Sequence, residues 1–244
     1  MKKKVQYYFN QGASTYDETA EVQVHVANQL IQYIKNHSAE TILEIGCGTG
    51  LYSQQLFTLF PNGSFLLTDI AEDMIKVCQN KFANRSNIDF LCMDAEKINV
   101  SQQFDLITSS MTFHWFTDIK KSLENLIDKL QKGGKLIFSL VGNQSLTEWQ
   151  QSCEKFQIQA GTPSFPTFND LSAWFPSLKI DRCTFHYTYS NVYSFLQSLK
   201  KLGARASRDF HQPQSVAKLR HLLSYYSKEY PVSYEILYGS FTKS

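Results

Sequence analysis

The 244-residue chain is predicted to be a doubly wound α/β domain, a mostly parallel sheet with helices on both faces. Three observations predict it. Short apolar runs alternate with helical patterns through the first two-thirds of the chain, which implies βαβ units. The first apolar run ends in the glycine cluster Gly46-Cys47-Gly48-Thr49-Gly50. Hydrophobic residues make up 43%, ordinary for a soluble protein with a packed core.

The elements follow in order. Glu18 to Asn36 reads as an amphipathic helix, with Val22, Val26, Leu30, Tyr33 and Ile34 at helical spacing. Thr41–Ile45 reads as a buried strand and Leu51–Phe60 as a helix. Ser64–Ile70 is the second strand, Asp73–Phe82 the next helix and Ile88–Met93 the third strand. Phe104–Ser110 and Lys135–Val141 are two more strands around a helix at Asp118–Leu130, which Gly133 and Gly134 are expected to stop. Beyond Val141 the rhythm changes. Ser145 and Glu148 form an S-x-x-E pattern expected to cap a helix toward Ala160, and a Pro- and Phe-rich loop runs from Gly161 to Phe168. Leu178–Tyr189 reads as a strand and Val192–Leu202 as a helix ended by Gly203. A helix from Pro213 to about Glu229 and a closing strand at Tyr234–Thr242 complete the chain. No repeat or linker divides it, so residues 142–176 and 190–230 read as helical insertions beside the late strands of one domain. The segment 1–19 carries no long periodic pattern and reads as a mobile lid.

Charge and cysteine usage exclude several classes. A net charge of +2 announces neither nucleic acid nor a membrane as partner. Lys2, Lys3 and Lys4 precede no apolar stretch of secretory length, so a cytoplasmic chain is expected. Five widely spaced cysteines without a CxxC pair argue against a disulfide framework and a structural zinc site, and no metal is expected.

The chemistry is expected at the end of the first strand, in Glu44-Ile45-Gly46-Cys47-Gly48-Thr49-Gly50. Glycines permit positive φ and a close approach of ligand to backbone. A dinucleotide turn needs G-x-G-x-x-G, but here the third glycine falls one place early and Leu51 follows; no Gly-Lys-Ser/Thr makes a Walker loop. Glu44 suits a cationic ligand end better than a pyrophosphate. Asp69 ends the second strand about 20 residues on, where a carboxylate can take both hydroxyls of a ribose.

The pattern E-x-G-x-G-x-G, with Phe65-Leu66-Leu67-Thr68-Asp69-Ile70, Met93-Asp94-Ala95, Phe104-Asp105-Leu106-Ile107 and Leu130-Gln131-Lys132-Gly133-Gly134-Lys135-Leu136, resembles the class I S-adenosylmethionine-dependent methyltransferases. The resemblance implies a Rossmann-like sheet with an antiparallel late strand and S-adenosylmethionine as cofactor. It implies cofactor contacts from Tyr16, Glu44, Gly46, Cys47, Gly48, Asp69, Ile70, Met74, Asp94, Ala95 and Ser109. Asp94 is expected near the adenine amino group. Tyr16 is expected to close over the methionine end, its ring able to face a sulfonium.

A narrower resemblance covers most of the chain. Phe9 to Asp17 with Gln23, Ser109 to Asp118, Ser145-Leu146-Thr147-Glu148, Leu199-Lys200-Lys201-Leu202-Gly203-Ala204 and Pro231 to Gly239 resemble the malonyl-acyl-carrier-protein O-methyltransferases of biotin synthesis. Ser110 stands where that pattern has Asn and His114 where it has Gln. The resemblance implies methylation of the free carboxyl of a malonyl thioester, carried on acyl carrier protein or coenzyme A. A small acid such as trans-aconitate, a quinone precursor, and a cofactor-binding assembly factor are the alternatives. A carboxylate attacking a sulfonium methyl needs no general base, so no acid or base is expected. His114, Trp115 and Tyr16 are pocket candidates. Lys200, Lys201, Arg205 and Arg208 are candidates to recognise the acceptor carboxylate, arginine by its bidentate fork.

Overall fold

A computed structural model describes residues 2–204 and 215–244. Seven strands form one sheet: β1 (Thr41–Ile45), β2 (Ser64–Asp69), β3 (Ile88–Cys92), β4 (Phe104–Ser110), β5 (Leu130–Val141), β6 (Lys179–Tyr189) and β7 (Tyr230–Thr242). The order is β3-β2-β1-β4-β5-β7-β6. The first five strands pair in parallel, and β7 runs antiparallel between β5 and β6. The expected mostly parallel sheet with an antiparallel late strand is what forms.

Strand alternation divides the core in two. Ile42 and Leu43 are neighbours on β1 and both fully buried, yet they point to opposite faces. Ile42 packs with Val22, Val26, Leu30 and Ile34 of helix α2 (Glu21–Ile34) and with Leu56 and Phe57 of α3 (Ser53–Leu59). Leu43 packs with Ile107 of β4 and with Leu123 and Leu126 of α5 (Ile119–Asp128). Each such side chain stabilises the fold by about 1.5–3 kcal/mol through removal from water.

The N-terminal segment departs from expectation. Lys2–Gly12 is a helix, α1, followed by a 3-10 turn at Tyr16–Glu18. Its order comes from partners far along the chain. Gln6 donates through Nε2 to the Ile70 carbonyl at 2.9 Å, and Asn10 Oδ1 accepts from the Asp73 amide at 3.0 Å. Asp73 lies in the first turn of α4 (Glu72–Lys81), which has no side-chain cap of its own, so Asn10 satisfies one of its open donors.

Two expected helix signals are corrected. α5 ends at Asp128, and Gly133 and Gly134 lie inside β5, where the register shifts between Phe104 and Leu106. Gly133 takes φ +79 there and donates to the Lys243 carbonyl at 2.8 Å, so these glycines shape a strand irregularity and stop no helix. Ser145 and Glu148 form no capping box. Ser145 Oγ exchanges hydrogen bonds with the backbone of Glu235, and the Glu148 carboxylate accepts from the Ser233 amide and hydroxyl. β7 takes both side chains, and α6 (Thr147–Lys155) opens on Leu146 at φ +59. A real capping box joins Thr167 and Asp170 at the start of α7 (Phe168–Trp174). Two further helices, α8 (Val192–Lys201) and α9 (Val216–Tyr225), lie within residues 190–230. No described helix is long and apolar enough to cross a membrane.

Candidate active site

The carboxyl ends of β1, β2 and β4 open on a cavity of about 470 Å³. Ligands in open α/β sheets sit at this edge, where the strand order reverses. Here the reversal falls between β1 and β4.

The glycine turn forms one wall. Gly46 and Gly48 adopt φ +71 and +55, which side chains resist. A Cβ on Gly46 would overlap Thr112, whereas a Cβ on Gly48 would meet nothing within 4 Å. Gly48 therefore leaves open space for a ligand. The amides of Gly46 and Cys47 both donate to the Thr68 carbonyl, at 2.7 and 2.9 Å, and the Gly48 amide donates to Asp69 Oδ2 at 3.0 Å. With these three N–H groups taken, the turn offers no anion nest, which fits the exclusion of a pyrophosphate site.

Asp69 also accepts from the Ala71 amide through Oδ1 at 2.8 Å. Each carboxylate oxygen keeps a lone pair for a second donor. Removal from bulk water pushes its carboxyl above the usual range, against the pull of the Ala71, Gly48 and Ile70 amides. Ile70, Met74, Asp94, Ala95 and Tyr16 line the same half of the cavity. Burial raises the Tyr16 phenol, helped by the charges of Asp69 and Asp17, so it stays protonated. Asp94 caps the turn after β3 by accepting from the Glu96 amide at 3.1 Å. Lys2, outside the expected set, pairs with Asp94 at 2.6 Å and Glu96 at 2.5 Å.

His114 and Trp115 occupy a 3-10 turn after β4. His114 is buried, and burial lowers its pKa to about 3, so the ring is neutral. Trp115 meets Phe9 of α1 edge-on, ring centroids 5.6 Å apart. The far half of the cavity is apolar, walled by Val141, Leu146, Trp149, Phe165, Leu196 and Leu199. Met111 and Leu146 line it with left-handed backbones at φ 54 and 59, conformations that folds tolerate mainly near binding sites. These walls are not among the residues the sequence motifs single out, although Leu196 and Leu199 stand at helical spacing in the helix expected at Val192–Leu202.

Several expected residues lie elsewhere. Glu44 is buried and its side chain does not reach the cavity; Cys47 likewise packs behind the turn. Ser109 points away and donates to the Ile45 carbonyl at 2.8 Å, while its neighbour Ser110 faces the cavity. Lys200 and Lys201 sit on the exposed side of α8, and Lys201 pairs with Glu18 at 2.9 Å. Arg205 and Arg208 lie outside the described residues. All five cysteines are free thiols, and among the described residues no cluster of His, Cys, Asp or Glu could hold a metal ion.

The sheet order, the glycine turn and the carboxylate ending β2 define an S-adenosylmethionine-dependent methyltransferase. Residues 42–134 match the family model described as a methyltransferase domain. The fold resembles N-methyltransferase NodS from Bradyrhizobium japonicum, solved with S-adenosyl-L-homocysteine, at a TM-score of 0.54 and 15% identity over 94% of this chain and 98% of that one. The chain is 33% identical to a malonyl-[acyl-carrier protein] O-methyltransferase of Magnetococcus marinus over 95% of its length and 90% of the relative. It is 32% identical to the protein of that name in Bacillus cereus, over 94% and 90%. The chain belongs to the malonyl-[acyl-carrier protein] O-methyltransferase family.

Proposed function

We propose that this protein transfers a methyl group from S-adenosylmethionine to the free carboxyl of malonyl-acyl carrier protein, giving the methyl ester used early in biotin synthesis. The observation that carries the reading is the near end-to-end similarity to relatives of that name, which includes the late elements walling the apolar half of the cavity.

Asp69 takes the ribose hydroxyls, Gly46 and Gly48 admit the cofactor against the backbone, and Asp94 lies by the adenine with Ile70, Met74 and Ala95 around it. Tyr16 covers the methionine end. The fit is physical: Asp69 lines the cavity with acceptor capacity beyond its amide bonds, and Gly48 leaves space that any side chain would fill. When bound, the cofactor supplies an electrophilic methyl on a sulfonium.

The acceptor carboxylate is already a nucleophile. Its oxygen forms the new O–CH3 bond as the S–CH3 bond breaks, and the electron pair of that bond stays on sulfur. Opposite charges vanish as the transition state forms, so a site that strips water from the carboxylate and holds it in line favours transfer. Val141, Leu146, Trp149 and Phe165 provide that dry wall. No proton moves, which agrees with His114 being neutral and Tyr16 protonated.

Transfer of labelled methyl to malonyl-acyl carrier protein, acetyl-acyl carrier protein and malonyl-CoA tests the reading. Label is expected on the malonyl carrier protein and absent from the acetyl form. Equal labelling of both, or none on either, overturns it.

A further inference from the structure

The cavity holds a hydrogen-bond donor for which the methyl transfer itself has no use. The Val141 amide donates to His114 Nδ1 at 3.4 Å. A ring nitrogen that accepts carries no proton, and a neutral imidazole has one, so the proton sits on Nε2. The rings of Trp115 and Phe165 flank the imidazole at 5.2 and 5.7 Å and hold its orientation. Among the described residues Val141 is the only hydrogen-bond partner of this side chain.

Several other polar groups nearby already have partners within the protein. The hydroxyls of Tyr189 and Tyr234 bond each other at 3.2 Å, Trp149 Nε1 donates to the Ala160 carbonyl at 2.9 Å, and Thr112 Oγ1 donates to backbone carbonyls. Thr19 and Gln23 also line the cavity, and among the described residues their Oγ1 and Oε1 atoms are buried without partners.

Resting on the function proposed above, we propose that His114 binds the acyl acceptor, donating its Nε2–H to the thioester carbonyl oxygen and so setting which end of the malonyl group meets the methyl. The carbonyl is favoured over the carboxylate by the charge change in the reaction. A hydrogen bond to the carboxylate would stabilise charge that disappears in the transition state and so slow transfer. A bond to the carbonyl is the same in both states, and it lowers KM without changing kcat.

The test compares wild type with His114→Leu and His114→Gln on malonyl-acyl carrier protein and on an analogue with a methylene in place of the thioester carbonyl. His114→Leu is expected to raise KM about tenfold, the loss of one hydrogen bond, with kcat and cofactor affinity kept. His114→Gln keeps a donor and stays near wild type. The analogue is expected to show the same tenfold rise with wild type and no further rise with His114→Leu. Should the leucine variant not fold, the analogue still decides: equal KM for it and the thioester on wild type overturns the proposal. A fall in kcat at unchanged KM in the leucine variant, or native kinetics in that variant, also overturns it. A wild-type protein inactive on malonyl-acyl carrier protein instead sinks the proposed function, and this inference with it.

Discussion

Gly12 and Gly203 meet backbone to backbone: a Cβ on Gly12 would stand 2.8 Å from the Gly203 amide nitrogen and from the Lys201 carbonyl. The converse also holds, since a Cβ on Gly203 would overlap the Tyr8 carbonyl and stand 2.9 Å from Phe9 Cα. The C-terminus of α8 is thus seated directly on the end of α1. Thr15 Oγ1 adds a hydrogen bond to the Lys201 carbonyl at 3.0 Å. Leu199 and Leu202 on one side and Phe9 on the other both line the cavity, so this contact fixes its mouth.

Gly203→Ala is accordingly expected to lower stability by about 1–3 kcal/mol, because it adds a clash with fixed backbone to a φ of +75. Cofactor affinity should fall as well, since α1 must shift. Gly12→Ala should cost a similar clash, and the double variant less than the sum, because the two share one contact. Denaturant unfolding measures all three. Native stability in Gly203→Ala would show that the helices do not bear on each other.

The N-terminal helix should behave as a ligand-stabilised cover. Burial alone would lower the Lys2 pKa, yet its hydrogen bonds to Asp94 and Glu96 hold the ammonium above its ordinary value. These bonds tie α1 to the turn after β3. Chymotryptic cutting at Tyr7, Tyr8 and Phe9 is expected to slow when S-adenosylhomocysteine is added. Lys2→Gln should speed cutting in the free protein, removing a pair worth about 1 kcal/mol. Equal cutting with and without the nucleoside would rule out the coupling.

Most of the sheet was readable because parallel strands are buried on both faces and appear as unbroken apolar runs. Thr41–Ile45 and Phe104–Ser110 match to the residue. Misreadings arose where a local signal had a distant partner. Ser145 and Glu148 looked like a cap, but the backbone of β7, some 90 residues on, engages both. α1 looked patternless because its order comes from Ile70, Asp73 and Gly203. The α7 start was readable and overlooked, since Thr167-x-x-Asp170 is a capping box hidden behind a Pro- and Phe-rich run. At the site, period-2 alternation already separates Ser109 from Ser110, though it does not say which of them faces the ligand.

Asp69→Ala removes the proposed partner of the ribose together with the acceptor for the Gly48 and Ala71 amides. Cofactor affinity is expected to fall by about 1–3 kcal/mol in calorimetry. Asp69→Asn should lose less, because its one carbonyl oxygen still accepts from one of the two amides. A folded Asp69→Ala protein with native affinity would remove Asp69 from the cofactor site.

Glu44 separates a contact role from a buried one. Its Oε2 has no hydrogen-bond partner among the described residues. Burial pushes its carboxyl up to about 8, with the Ser53 hydroxyl opposing and the Asp69 charge adding to the rise. The unfolded value is near 4.5, so between these two pH values the folded protein keeps a proton that the unfolded chain releases. Stability from this group is therefore complete below pH 4.5 and is lost as pH rises through about 8, by a few kcal/mol at most. Glu44→Gln cannot ionise, so its advantage over the native protein should grow from pH 5 to pH 8 in urea unfolding. Parallel curves for the two proteins would mean that Glu44 is already charged in the fold. Cofactor affinity should stay near native in the same variant, because the side chain packs behind the glycine turn and does not reach the cavity. A large loss of affinity would instead place the Glu44 carboxylate in contact with the cationic end of the cofactor.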